Sequence, residues 1–312
     1  MNFIKRILNY NRDTRWTIGF VENSIEEIVN GKPLRFNWVE CNYKDRWYAD
    51  PFILEVTDKE IVLLVEEFYY PIKRARIAKL VIDRKTNNIV SSKPILTLPT
   101  HLSYPAILRR NENIYIYPES GLSGKLILYS YNPETDEVKE ERLLINEYVA
   151  DATYTNLFGE DLIFCTIPPG INDNKLYVYR KGRDGVYCRD EEIVFEDHVA
   201  RMAGDFFELN GKIYRPAQDC NISYGNGTVI QEISHENGKW QIKEVRRYFS
   251  NDPQYPLGIH TLNMYKGVIV VDAVGYWRPR TAKVTNVVVN AVKSIRNIVA
   301  SSKSIKEQVL QL

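Results

Sequence analysis

Trp47-Tyr48-Ala49-Asp50-Pro51-Phe52 runs from a small aromatic and acidic cluster into an apolar strand. Four later stretches open in the same way: Ser103-Tyr104-Pro105-Ala106, Ala150-Asp151-Ala152-Thr153, Ala203-Gly204-Asp205-Phe206 and Ile259-His260-Thr261-Leu262. Their aligned positions, Asp50, Tyr104, Asp151, Gly204 and His260, are 54, 47, 53 and 56 residues apart. A period of about fifty residues fits one four-stranded propeller blade per repeat better than a βαβ unit. Each opening is followed, after a polar turn, by a second apolar run: Ile61 to Val65, Ile114 to Tyr117, Leu162 to Thr166, Ile213 to Ala217 and Val268 to Val271.

A strand that leaves one face of a disc and returns by a hairpin brings its start and its partner's end to the same face. The repeat therefore predicts one axial mouth lined by Asp50, Glu66, Glu67, Glu119, Asp151, Gln218, Asp219, His260 and Asp272. A single Asp at a strand start commonly does no more than hydrogen-bond its own backbone. Stacked blades need only apolar and glycine positions to pack, so a ring of carboxylates, Gln and His in register reads as a site.

The chain has 312 residues, and five four-stranded blades take up about 250 of them as one unit. Trp16 to Val21 and Leu34 to Val39 read as strands around an Asn30-Gly31-Lys32-Pro33 turn and are expected to close the ring. Outer strands are expected at Ala75 to Ile82, Leu126 to Asn132, Lys175 to Lys181 and Thr228 to Ser234. Helical periodicity is almost absent until residue 283. The sequence thus predicts an all-β, five-bladed β-propeller over residues 1–282, followed by an amphipathic helical tail over 283–312. Around that tail Arg278, Arg280, Lys283, Lys293, Arg296, Lys303 and Lys306 face one acid, Glu307. Such a tail suits peripheral contact with an anionic membrane, or packing on the propeller or a partner; Phe3 to Tyr10 is a weaker second contact.

A hydrophobic fraction of 44% and a charged fraction of 26% are those of a folded domain. A net charge of +1 excludes a broad basic face for nucleic acid. Cys41, Cys165, Cys188 and Cys220 form no Cys-x-x-Cys pair and no zinc-like spacing, which fits thiols in a reducing cytoplasm. The first residues carry neither the apolar core of a cleavable signal nor a membrane span, so a cytoplasmic location is expected. No Gly-x-Gly-x-x-Gly, phosphate-binding P-loop or Asp-x-Asp occurs, and neither a cofactor nor a metal is assigned. Tyr224-Gly225-Asn226-Gly227 reads as a hairpin turn. The 21 tyrosines suit both strands and sugar-binding surfaces.

Further ordered blocks accompany the repeat: His101-Leu102-Ser103-Tyr104-Pro105, Pro118-Glu119-Ser120, Arg201-Met202-Ala203-Gly204, Arg215-Pro216-Ala217-Gln218-Asp219-Cys220 and Gly258-Ile259-His260-Thr261. Together, over about residues 16 to 276, they resemble the propeller domain of the plant glucosamine inositolphosphorylceramide transferase family and its bacterial relatives. More distantly the layout resembles the five-bladed propellers of glycoside hydrolase families 43 and 32. In those hydrolases a blade-one Asp is the base, a blade-three Asp orients, and a blade-four Glu is the acid. Asp50 and Asp151 fall where the first two stand, while blade four reads Ala203-Gly204-Asp205 and lacks the acid.

An ordinary glycoside needs that acid, because an alkoxide leaves poorly unless it is protonated. A nucleotide diphosphate departs as a stable anion and needs mainly cationic or hydrogen-bonding support. The resemblance thus implies a glycosyltransferase moving a sugar from a nucleotide-linked donor to a glycan or lipid-linked acceptor, in surface polysaccharide or glycolipid assembly. The alternatives are a furanosidase- or xylosidase-type hydrolase, with Glu119 or Asp205 as substitute acid, and a carbohydrate-binding propeller without catalysis. Asp50, then Asp151 or Glu119, is the expected catalytic carboxylate. Arg201 and Arg215 would meet phosphates unless they pair with neighbours such as Asp205 or Asp219. His101, Tyr104, Gln218, Tyr224 and His260 would meet sugar hydroxyls, hold a central water or ion, or fix strand ends.

Overall fold

The computed structural model describes residues 13–277 together with Thr281. Its strands form five antiparallel sheets of four strands each. Blade one is β3 (Arg46–Val56), β4 (Glu60–Tyr69), β5 (Arg74–Asp83) and β6 (Ile89–Leu96). Blade two is β7 (Ile107–Arg110), β8 (Asn113–Ile116), β9 (Leu126–Asn132) and β10 (Glu137–Ile145). Blade three is β11 (Ala150–Thr155), β12 (Leu162–Thr166), β13 (Lys175–Lys181) and β14 (Tyr187–Val194). Blade four is β15 (Phe207–Leu209), β16 (Lys212–Asp219), β17 (Gly227–Glu236) and β18 (Lys239–Phe249). Blade five takes β19 (Gly258–Tyr265) and β20 (Val268–Tyr276) from the end of the described chain, and β1 (Thr14–Val21) and β2 (Phe36–Trp38) from its beginning. The β1–β20 ladder runs from Thr14 opposite Tyr276 to Val21 opposite Ile269 and closes the ring.

The strands expected to be outermost are third in their blades, and a further strand lies outside each. Those edge strands are mostly polar and exposed; only Leu144 and Ile145 of β10, for example, are fully buried. An edge with little apolar surface leaves little periodicity to read. A second departure lies between β1 and β2, where a five-residue helix, α1 (Ile25–Val29), precedes the expected turn. Ser24 caps it by accepting the Glu27 N–H at 3.2 Å, and Ile28 and Val29 anchor it in the core. The tail helix over 283–312, the boundary at 282 and the Phe3 to Tyr10 segment lie outside the described residues.

Apolar side chains fill the space between blades. Phe52, Leu64 and Ile77 of blade one, for example, pack in one cluster with Leu102, Ile116 and Phe164 of blades two and three. At about 25 cal/mol per Å² of apolar surface buried, these interfaces supply most of the cohesion. None of the four cysteines is in a disulfide. Among the described residues no helix is long and apolar enough to cross a membrane.

Candidate active site at the axial mouth

At the repeated position the backbone departs from the strand. Asp50, Tyr104 and Asp151 have φ of +47°, +44° and +48°, and Gly204 has +151°. The ladders skip register at the same places, between Ala49 and Phe52 and between Ala150 and Thr153; blade five does so between Ile259 and Leu262. Such bulges insert one residue, bend the strand and re-aim a side chain, here toward the axis. Asp tolerates a left-handed conformation better than most residues. Glycine is needed at 204, where a Cβ would come within 2.1 Å of the Leu262 carbonyl oxygen.

The mouth has two halves. In the first, His260 lies between two aspartates, with Nδ1 2.7 Å from Asp272 and Nε2 3.2 Å from Asp50. Asp272 also accepts the backbone N–H groups of Asp50 at 2.9 Å and Thr261 at 3.0 Å, and Asp50 accepts that of Tyr104 at 2.9 Å. Burial alone would lower the His260 pKa, but Asp272 and then Asp50 outweigh it and hold the imidazole well above its usual value. Glu66 adjoins Asp50. Burial first, and then the Asp50 charge, push the Glu66 carboxyl far up, so it keeps its proton and shares it with Asp50.

His101 completes this half. Its Nδ1 accepts the Ala75 N–H at 3.2 Å, which leaves the Nε2 hydrogen for Glu66 at 3.1 Å. Burial lowers the His101 pKa and keeps the ring neutral.

In the second half Arg201 meets Asp151 side-on, with Nε 2.5 Å and Nη2 3.3 Å from the two carboxylate oxygens. Its Nη1 donates to Asn172 at 2.8 Å, and Gln218 donates to Asp151 at 2.6 Å. Glu119 accepts the Asp151 N–H at 3.0 Å and lies 3.8 Å from Arg201. Burial, reinforced by the Asp151 charge and opposed by Arg201, pushes the Glu119 carboxyl up to about 8. Glu119 is thus protonated near neutral pH beside Asp151, which is paired with a fixed cation.

Tyr224 joins the halves. Its ring lies 4.7 Å from the Arg201 guanidinium carbon and 5.2 Å from the His260 ring, and it is 43% exposed. It belongs to the β16–β17 turn, where Gly225 permits the approach: a Cβ there would lie 2.9 Å from His260 Cβ.

The structure brings together Asp50, Glu119, Asp151, His260, Arg201, His101 and Tyr224. Five other expected site residues do not present their side chains to the mouth. Arg215 is fully buried and donates to Gln231 at 2.6 Å and to backbone carbonyls of residues 199 to 201, so it is an internal strut. Asp219 pairs with Arg247 at 2.9 Å. Tyr104 is enclosed, its hydroxyl bonded to Thr153 at 2.8 Å, so its backbone N–H serves the site and its side chain does not. Gln218, also enclosed, supports Asp151 from behind. Asp205 lies toward Arg109 and Tyr117, and burial raises it to about 7. Of the other acids placed at the mouth, Glu67 is instead held by Arg46 at 2.7 Å and by Arg76.

Trp16, Asn172 and Tyr148 are additions that no repeat column announces. The Trp16 ring lies 4.1 Å from that of His260, and Tyr148 donates to Glu119 at 3.4 Å. Asp50, His260 and Asp272 each offer a ligand atom within 4.8 Å of the others and could hold a cation. Both imidazole nitrogens already face carboxylates, so an ion there would displace the proton His260 carries.

The mouth residues from Asp50 to Tyr224 fall inside a known family's extent, and Trp16, His260 and Asp272 lie outside it. The description "Glucosamine inositolphosphorylceramide transferase 1, N-terminal" matches residues 37–255. The chain belongs to that family. The transferase of that name from Oryza sativa subsp. indica is 27% identical over 158 residues, which cover 46% of this chain and 20% of the relative's length. The chain thus spans about a fifth of the curated relatives it matches. Among solved structures it is similar to the exo-β-1,3-galactanase of Phanerochaete chrysosporium bound to galactose, with TM-score 0.51, 8% identity and coverage of 70% of this chain and 57% of that one. It is also similar to the GH43_1 enzyme of Xanthomonas citri complexed with xylose, with TM-score 0.50, 10% identity and coverage of 75% and 87%. At such identities the likeness shows the propeller fold alone.

Proposed function

We propose that the mouth binds a sugar and transfers it from an activated donor to a hydroxyl of a glycan or lipid-linked acceptor. The observation that carries this reading is a carboxylate, Asp50, held by the Tyr104 N–H and by His260 in a mouth rimmed by the exposed ring of Tyr224. Asp50 is oriented by the Tyr104 N–H and by His260, and serves as base toward the acceptor hydroxyl. His260, held between Asp50 and Asp272, stabilises the charge that develops there. Asp151 and Arg201 fix one side of the sugar, and Tyr224 offers a ring to its apolar face. Transfer to a glycolipid is supported by the family's transferase name. A nucleotide diphosphate would find little free cation: Arg215 is enclosed and Arg201 is engaged by Asp151 and Asn172.

The proton on Glu119 favours a second reading. A carboxyl titrating at about 8 can protonate an alkoxide leaving group, which is what hydrolysis of a glycoside requires. The two readings share Asp50 and differ in the acceptor. Full-length protein assayed with nucleotide sugars plus glycan and lipid-linked acceptors, and separately with aryl glycosides in water, separates them by product. In either assay Asp50→Asn is expected to lose about 10²- to 10⁴-fold in turnover with the fold retained. More than a tenth of wild-type turnover in that variant would remove Asp50 from the role.

A further inference from the structure

Beside the mouth, between blades five and one, lies a cavity of about 530 Å³. It opens on the same face, because its walls come from the strand ends that meet there: the start of β1, the end of β20 and the start of β3. Four of the chain's five tryptophans line it: Trp16, Trp38, Trp47 and Trp277. All four are only half-buried. Residues with this much apolar surface are normally covered by folding, so their gathering around an open cavity calls for a ligand.

We infer that this cavity is a saccharide subsite adjoining the mouth, one that takes sugar units of the acceptor chain. The inference rests on the reading of the mouth as a sugar-transfer site only for the word acceptor; binding in the cavity requires no catalysis. The lining alternates indole faces with planar polar groups from Glu40, Asn42, Arg46 and Gln254. A pyranose has an apolar C–H face for the first kind of surface and hydroxyls around its edge for the second. An acyl chain would meet those polar groups without satisfying them. The volume falls within the usual range of small-molecule sites, about 300 to 1,000 Å³.

The rings are held before any ligand arrives. Trp47 stacks on Phe68 at 5.0 Å with planes 7° apart. Trp38 donates to Asp252 at 2.7 Å and lies over Gly19, where a Cβ would be 2.5 Å from its ring. The Arg15 guanidinium covers Trp277 at 3.1 Å. Trp16 is a wall of the cavity and also packs against His260. A saccharide in the cavity would therefore be separated by the Trp16 ring from the imidazole that orients Asp50, with little side-chain ordering left to oppose binding.

Tryptophan fluorescence of the full-length chain reports on this cavity directly. Titration with xylotriose, β-1,3-galactotriose and chitotriose is expected to give a saturable change with at least one. Trp47→Ala and, separately, the exposed-side variant Asn42→Ala should each weaken that binding, the former about tenfold, with cooperative melting retained. Asp50→Asn should leave the binding unchanged while turnover is lost, so failure of the catalytic assignment and failure of the cavity assignment are distinguishable. No saturable change with any of the three, a change left intact by both cavity variants, or a change produced by a nucleoside diphosphate and by none of the sugars would overturn the inference.

Discussion

The two halves of the mouth are built on the same local plan and hold their charge in different ways. Asp50 and Asp151 both occupy left-handed bulge positions at blade starts. Each has a buried cationic partner, and each stands beside a carboxyl that burial and its own charge keep protonated. For Asp50 the partner is an imidazole shared with Asp272; for Asp151 it is a guanidinium bound side-on. Asp272 and Asp50 hold the imidazole well above its usual value, and the guanidinium is charged at any working pH. Both partners therefore hold a charge, and the proton that titrates near neutral pH sits in the Arg201 half, on Glu119. The base, Asp50, is assigned to the first half, and sugar positioning together with the Glu119 proton to the second.

The largest expected effect breaks the Arg201 half. Arg201→Met removes the partner of a buried carboxylate and should cost about 3–5 kcal/mol at neutral pH. The loss should shrink as pH falls, since protonating the stranded carboxylate removes its unpaired buried charge. His260→Gln keeps a donor between the two aspartates and should cost less, about 1–3 kcal/mol. Denaturant melts of both variants across pH decide the matter; equal costs with equal pH dependence would erase the distinction between the halves.

The columns at Asp50, Glu119, Asp151 and His260 were legible because a period of about fifty residues is written in the inner strands, which alternate little and are buried on both faces. Which neighbour of a column turns inward was not legible. Tyr104 and Gln218 turn into the core although they belong to the same columns, their side chains bonded to Thr153 and, from behind, to Asp151. Arg215 and Asp219 were misplaced for a related reason, because a buried strut and a ligand-binding arginine look alike until their partners are known. Trp16 stayed hidden because β1 enters the ring from the other end of the chain, outside the repeat. The polar outer strands and the five-residue α1 carry too little apolar pattern to announce themselves.

A smaller effect sharpens the comparison through its protons. Glu119 is raised to about 8 in the folded chain, so between the ordinary carboxyl range and pH 8 the folded form binds a proton that the unfolded form has released. Stability should therefore decline as pH rises across that window, and Glu119→Gln should flatten the decline. If Glu119 donates a proton to the leaving group, turnover should also fall about tenfold per unit above pH 8. Glu119→Gln should remove most turnover toward alkyl glycosides and much less toward aryl glycosides or a donor whose leaving group is a stable anion. A pH profile flat through 9 would show that the Glu119 proton takes no part, and would leave the mouth with a single working half.

The smallest expected effect concerns the residue that touches both halves. Tyr224 covers the Arg201 guanidinium at 4.7 Å and meets His260 edge-on at 5.2 Å, yet 43% of its surface is open. A cation–π contact at so exposed a site is worth about 0.5–1 kcal/mol, so Tyr224→Leu should shift stability by no more than that. Its ring is also the one a bound sugar would meet first. The variant should therefore raise KM several-fold with kcat nearly unchanged, and Tyr224→Phe, which keeps the ring, should restore it. A fall in kcat at unchanged KM would mean that Tyr224 acts on the charges beneath it, and that the two halves are coupled through its ring instead of working side by side.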